Sequence, residues 1–179
     1  QRISLLKQKK AALEQYKKGL MQKIFSQEIR FKDDRGNDYP DWVENRLGEV
    51  VKLGSKKINP LSDDVNYKNI ELDCIEQNTG QIHTYYDSKN QKSMKTHFKQ
   101  GDILFGKLRP YLRKFYLTEF EGVCSTEIWV LKPKSVERRF LFYLIQSSRF
   151  NYEVNLTTGT RMPRADWKVV SGAKFEIPC

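Results

Sequence analysis

Four cationic side chains, Lys107, Arg109, Arg113 and Lys114, crowd the stretch GDILFGKLRPYLRK, directly after an apolar run. A strand that only fills a core ends in a turn of Gly, Asn and Asp, whereas this one ends in a loop of alternating basic and apolar residues. With Leu108 and Leu112 turned inward, the charged heads are left outside as a cluster. Pro110 fixes φ and lowers the cost of ordering the loop on a ligand. Arginine has the fork geometry for bidentate contact to guanine or phosphate, and Tyr111 can stack or donate to phosphate. Lys107, Arg109, Tyr111 and Lys114 are therefore candidate DNA contacts. A solvated turn whose charges pair with Glu119 and Glu121 accounts for the same residues.

A second loop, Thr158-Gly159-Thr160-Arg161-Met162-Pro163-Arg164, repeats the recipe of donors, Gly, Pro and Arg. Hydroxyls and a flexible glycine let backbone N–H groups approach a phosphate or base edge, so Arg161 and Arg164 join the candidates. Lys56 and Lys57, and the run 89–99 with Lys92, Lys95 and His97, can add backbone contacts, although loop lysines also serve solubility alone. Catalysis finds no foothold. The two histidines, His83 and His97, lie in polar contexts without a paired nucleophile, and no phosphate-cradling glycine loop or metal-spaced acidic cluster occurs. The residues read as a binding surface, with no catalytic group, metal or cofactor in this chain.

These loops need elements to hold them. Residues 1–30 read as one helix, uninterrupted by proline, in which Leu6, Leu13 and Leu20 recur every seven residues beside Ile3 and Ile24. A lone helix of this length is marginal in water, so the stripe predicts a second helix against it. Residues 31–42 hold the turn formers DDRGNDYPDW and make a hinge, with Tyr39 and Trp42 available to anchor it. Beyond it, residues 43–179 turn strand-like. A short helix is expected near 45–51, strands at 67–75 and 82–86 joined by Gln77-Asn78-Thr79-Gly80, and strands at 102–107, 124–131 and 173–177. FLFYLIQSSRF at 140–150 has helical texture. The fold class is α+β, a strand-dominated domain behind a long coiled-coil-type helix.

Charge agrees with a polyanionic partner. The net charge of +10 is concentrated at the front: residues 1–32 carry nine Lys/Arg against two Glu, a net +7, and the other 147 residues carry 23 basic and 20 acidic side chains, a net +3. Three cysteines without a CxxC pair suit a reducing cytoplasm, and no apolar run is long enough to span a membrane.

Several separated segments resemble one family. GDILFGKLRPYLRKFYL, GVCSTEIWVLKP, YPDWVENRLGEVVKLGS and GTRMPRADWKVVSGAKFEIPC are similar to the specificity subunit of type I restriction–modification enzymes, and ALEQYKKGLMQKIFSQEIRF resembles its spacer helix. The resemblance implies that residues 43–179 are one target recognition domain reading half of a bipartite double-stranded DNA site. Helix 1–30 is then one arm of an antiparallel coiled coil that sets the spacing and helps dock methyltransferase subunits. Those partners bind S-adenosylmethionine and methylate adenine, and a restriction/motor subunit cuts unmodified DNA. The family's full subunit has two recognition domains and two spacer helices. One of each here implies a half, a cloned fragment or a natural half that pairs with a second spacer helix or a second copy of itself. It also implies that GTRMPRADW positions the domain on backbone or core, and that Arg109 serves structure as much as DNA. Two readings from other classes stand beside this one: a stand-alone nucleic-acid-binding module, and a coiled-coil assembly protein without DNA specificity.

Overall fold

A computed structural model of the chain describes residues 2–156 and 162–178. The chain divides into two units, residues 1–43 with 176–179, and residues 44–175. In the first, α1 (Arg2–Phe25) is helical throughout and buries none of its residues. It ends short of the expected residue 30 because Gln27 turns left-handed at φ 60° and Ile29 N–H bonds back to the Lys23 carbonyl at 3.1 Å. The next turn is tied by one carboxylate: Asp33 accepts the N–H groups of Arg35 at 2.9 Å and Asn37 at 2.8 Å. Hydrogen bonds from the Asn37 side chain and then its backbone hold the Asp33 carboxyl below its ordinary range. Arg30 clasps the Asp41 carboxylate and the carbonyls of Tyr39 and Pro40. Trp42 anchors the hinge as expected, edge-on to Phe25 with centroids 6.1 Å apart. Tyr39 does not: it lends its carbonyl while its ring stays exposed.

After β1 (Val43–Arg46) and the single-turn α2 (Leu47–Val50), the second unit is built on two sheets. β2 (Val51–Leu53), β7 (Ile103–Gly106), β8 (Phe115–Leu117) and β10 (Ile128–Pro133) form an antiparallel sheet in the order β2-β10-β7-β8. β3 (Lys57–Ile58), β4 (Lys68–Ile70), β5 (Tyr86–Asp87), β6 (Lys95–Phe98) and β9 (Gly122–Ser125) form the other, ordered β3-β6-β9-β4-β5, with β4 and β9 parallel. The expected single strand 124–131 is two. Thr126 and Glu127 form a turn, and the chain passes there from one sheet to the other.

Alternation along β7 and β10 decides the packing. Leu104, Ile128 and Val130 join Ile70, Phe98 and Cys124 of the facing sheet in one apolar core. On the opposite face Phe105 stacks on Trp129, and both meet a helical layer: α3 (Arg138–Leu144), α4 (Ser148–Val154) and α5 (Trp167–Gly172). Phe105 lies edge-on to Phe150 at 5.2 Å and Trp129 edge-on to Trp167 at 5.4 Å. Burying each such ring contributes about 1.5–3 kcal/mol. The helical stretch 140–150 is broken in two at Ser147, whose hydroxyl caps α4 by accepting the Phe150 N–H. The ends of the unit close on each other, with the Leu47 N–H on the Ala173 carbonyl at 3.0 Å and Lys174 paired to Glu44. Among the described residues no helix is long and apolar enough to cross a membrane.

Candidate nucleic-acid interface

β7 stops at Gly106, and the backbone then reverses twice within five residues. Arg109 and Arg113 are both left-handed, at φ 51° and φ 50°, and they bracket a single 3₁₀ turn over Pro110–Leu112. Each left-handed non-glycine residue costs about 1–2 kcal/mol and persists only where its surroundings hold it. Here they do. Arg109 N–H donates to the Pro163 carbonyl at 2.7 Å, and Arg113 N–H closes the turn on the Pro110 carbonyl at 2.9 Å. The loop is therefore set in shape without a ligand.

Its cations divide. Arg113 turns inward: its Nη2 donates to the Gln146 carbonyl at 2.6 Å, and burial pulls the guanidinium below its ordinary pKa. Lys114 also turns inward, its ammonium on the Leu72 carbonyl at 2.6 Å, so it is committed to the domain's own backbone. Arg109 and Tyr111 stay at the surface, and among the described residues the Arg109 guanidinium has no hydrogen bond or ion pair. Lys107 is half-buried beside them.

The described end of the second basic segment, residues 163–165, is joined to the first loop. Leu108 and Arg164 form an antiparallel bridge, and the Ala165 N–H donates to the Lys107 carbonyl at 2.9 Å. The backbones of residues 107–109 and 163–165 thereby run side by side. Arg164 is paired with Glu127 at 3.0 Å, and among the described residues no ion pair joins the cations of the 107–114 loop to Glu119 or Glu121, the partners that the solvated-turn reading names. Glu121 instead meets His97 at 2.7 Å. Arg161, with Thr158, Gly159 and Thr160, lies outside the described residues.

Lys56 and Lys57 are not joined to this cluster. Lys57 lies in β3, the edge of the other sheet, with Lys56 just before it, and Lys57 Nζ donates to Thr96 Oγ1 at 2.8 Å. The run 89–99 is also not a uniform basic face. Lys95 is 2% exposed and enclosed by Glu71, Gln91 and Ser93, and His97 is buried. An unpaired ammonium cannot be buried at tolerable cost, so Lys95 is a structural ion-pair member. Among the described residues no group of His, Cys, Asp and Glu is placed to hold a metal.

A third segment, read in the sequence only as a strand connection, adjoins the cationic loop. Ile75 and Ile82 pair across a tight hairpin, and its tip is stitched to the loop by Asn78 N–H on the Arg113 carbonyl at 3.1 Å and by a Gln77–Lys114 bridge. The available signal was the turn QNTG, which marks the reversal without naming the neighbour. On α1, Ile3, Leu6, Leu13 and Leu20 are all exposed, Ile3 at 72%, and Ile24 is half-buried.

Residues 39–179 match the sequence family described as Type I restriction modification DNA specificity domain. The chain is 30% identical over 141 residues to the Escherichia coli type I restriction enzyme EcoDI specificity subunit, spanning 77% of this chain and 30% of that protein. It is 25% identical over 189 aligned positions to the Methanocaldococcus jannaschii MjaVIII specificity subunit, spanning 93% and 44%. Two solved structures share the fold. The HsdS subunit from Thermoanaerobacter tengcongensis superposes with a TM-score of 0.65 at 24% identity, over 78% of this chain and 38% of that one. A chain from work on complex assembly and conformational transition of the type I R-M system gives a TM-score of 0.68 at 24% identity, with the same coverage. The chain thus spans less than half the length of these relatives. It belongs to the type I restriction–modification DNA specificity family.

Proposed function

We propose that the chain is a DNA-choosing module that reads one half of a bipartite site and performs no catalysis itself. The observation that supports this is the joining of the preformed loop that bears Lys107, Arg109 and Tyr111 to the backbone of residues 163–165, which bears Arg164, within a DNA specificity domain. Preformed cations neutralise phosphates without paying an ordering cost at binding, and they fix the register in which bases are read. Helix α1 supplies the spacer arm. Its Ile3, Leu6, Leu13 and Leu20 stripe takes a second spacer helix, from another half or another copy, and the pair docks the methyltransferase subunits. Those subunits hold S-adenosylmethionine and methylate adenine, and the restriction/motor subunit acts through the assembled complex, in the cytoplasm.

The test assembles the chain with a second recognition half and methyltransferase subunits and maps methylated adenines on random-sequence DNA. Two short blocks at a fixed gap are expected, one of them changing when this chain is exchanged. Methylation scattered without a motif overturns the proposal.

A further inference from the structure

The hairpin beside the cationic loop differs from it in chemistry. From Gln77 to Thr84 the chain reads QNTGQIHT, without one Lys, Arg, Asp or Glu. Its backbone is held on every side. Glu76 N–H donates to the Gln81 carbonyl at 2.9 Å and His83 N–H to the Cys74 carbonyl at 3.1 Å. Ile75 is buried in the core, and Ile82 packs against it. Gly80, at φ 75°, lets the turn lie against Phe115 and Phe142, where a Cβ would come within 3.0 Å of Phe142. Yet the side chains of Gln77, Asn78, Gln81 and His83 are exposed and, among the described residues, make no hydrogen bond. A fixed backbone that carries unspent amides has its recognition capacity intact.

Such groups are poor phosphate neutralisers and good base readers. Asn and Gln offer an acceptor and two donors that match N6 and N7 of adenine, and the major groove admits a two-stranded ribbon. We propose that the hairpin of residues 75–83 is the base-reading element of this domain, with Gln77, Asn78 and Gln81 taking adenine edges while Lys107, Arg109 and Arg164 hold the neighbouring phosphates. This rests on the DNA-recognition reading above.

Enrichment of a randomised duplex pool by the full chain tests it, comparing the parent with Gln77→Ala/Asn78→Ala/Gln81→Ala and with Arg109→Ala. The parent is expected to enrich a short block containing adenine. The triple variant loses roughly 5- to 100-fold of preference at one or more adenine positions. Arg109→Ala lowers recovery of all sequences alike. A triple variant that melts like the parent and enriches the same block overturns the inference and leaves DNA recognition standing. A parent that enriches no block overturns the DNA-recognition reading itself. Where the triple variant melts early, the single changes Gln77→Glu and Gln81→Glu decide. At least one should move preference from adenine toward cytosine, whose amino group only donates, and unchanged preference for both overturns the inference.

Discussion

The cationic loop and the amide-bearing hairpin touch along a common seam, and on the reading proposed above they divide the work of a DNA surface between them. The loop carries free charge on a strained backbone, with Arg109 and Arg113 both left-handed. The hairpin carries unspent amides and keeps its backbone hydrogen-bonded to itself and to the loop. Charge gives affinity that ignores sequence and fades with salt, whereas amides give little affinity but tell one base from another. On that reading, placing the two side by side fixes the reader in register with the holder.

Cutting the loop from the domain that anchors it is the most damaging change. Arg113→Ala with Lys114→Ala removes two charged hydrogen bonds, to the Gln146 and Leu72 carbonyls. It is expected to cost about 3 kcal/mol and lower the melting temperature by roughly 6–12 °C. Affinity and sequence preference should fall together, as a melting curve and a DNA titration on the same sample will show. Gly80→Ala strains the hairpin alone, at φ 75° and against Phe142. The expected cost is about 1–2 kcal/mol, read as faster amide exchange at Asn78 than in the loop.

Arg109→Ala acts on the charged side only. It should weaken binding about tenfold for every sequence and shrink the slope of log K against log salt by about 1, with the melting temperature nearly unchanged. The smallest effect runs in the other direction. Glu127→Gln releases Arg164 from its carboxylate. Since such exposed pairs are worth about 0.2–1 kcal/mol, affinity at low salt should rise by at most about fivefold with the preferred sequence unaltered. A change of preferred sequence in either of these two variants would break the division of labour.

Much of the architecture was legible because apolar pattern dictates it. Ile103, Leu104 and Phe105, and Ile128 to Leu131, are as strand-like in sequence as in the fold, and the Leu6, Leu13, Leu20 repeat announces α1. β6 was hidden because Lys95-Thr96-His97 looks like surface. It is buried because Glu71 lies across the sheet to take Lys95 and Glu121 to meet His97, partners that no local window contains. α5 was missed because six residues make too short a period, although Asp166, whose carboxylate accepts the Lys168 N–H, is an ordinary N-cap signal. At the site, the sequence names both basic loops but not their union, since Leu108 and Arg164 are far apart in the chain. Nor does it say which cations turn inward: Arg109 and Arg113 are alike in type, and only the position of Gln146 separates them.

The seam joins the hairpin to the loop largely through main-chain atoms, the Asn78 amide and the Arg113 carbonyl. A peptide group presents the same donor and acceptor whatever side chain it bears. The side chains at 77 and 81 can therefore be exchanged for others with little cost to folding, since surface substitutions away from packed features usually shift stability by less than about 0.5 kcal/mol. Asn78, by contrast, is left-handed at φ 63°, a backbone that Asn tolerates better than most residues. On the reading proposed above, the tip of the hairpin is a replaceable reading head, where a new DNA preference can evolve, or be engineered, without rebuilding the domain behind it.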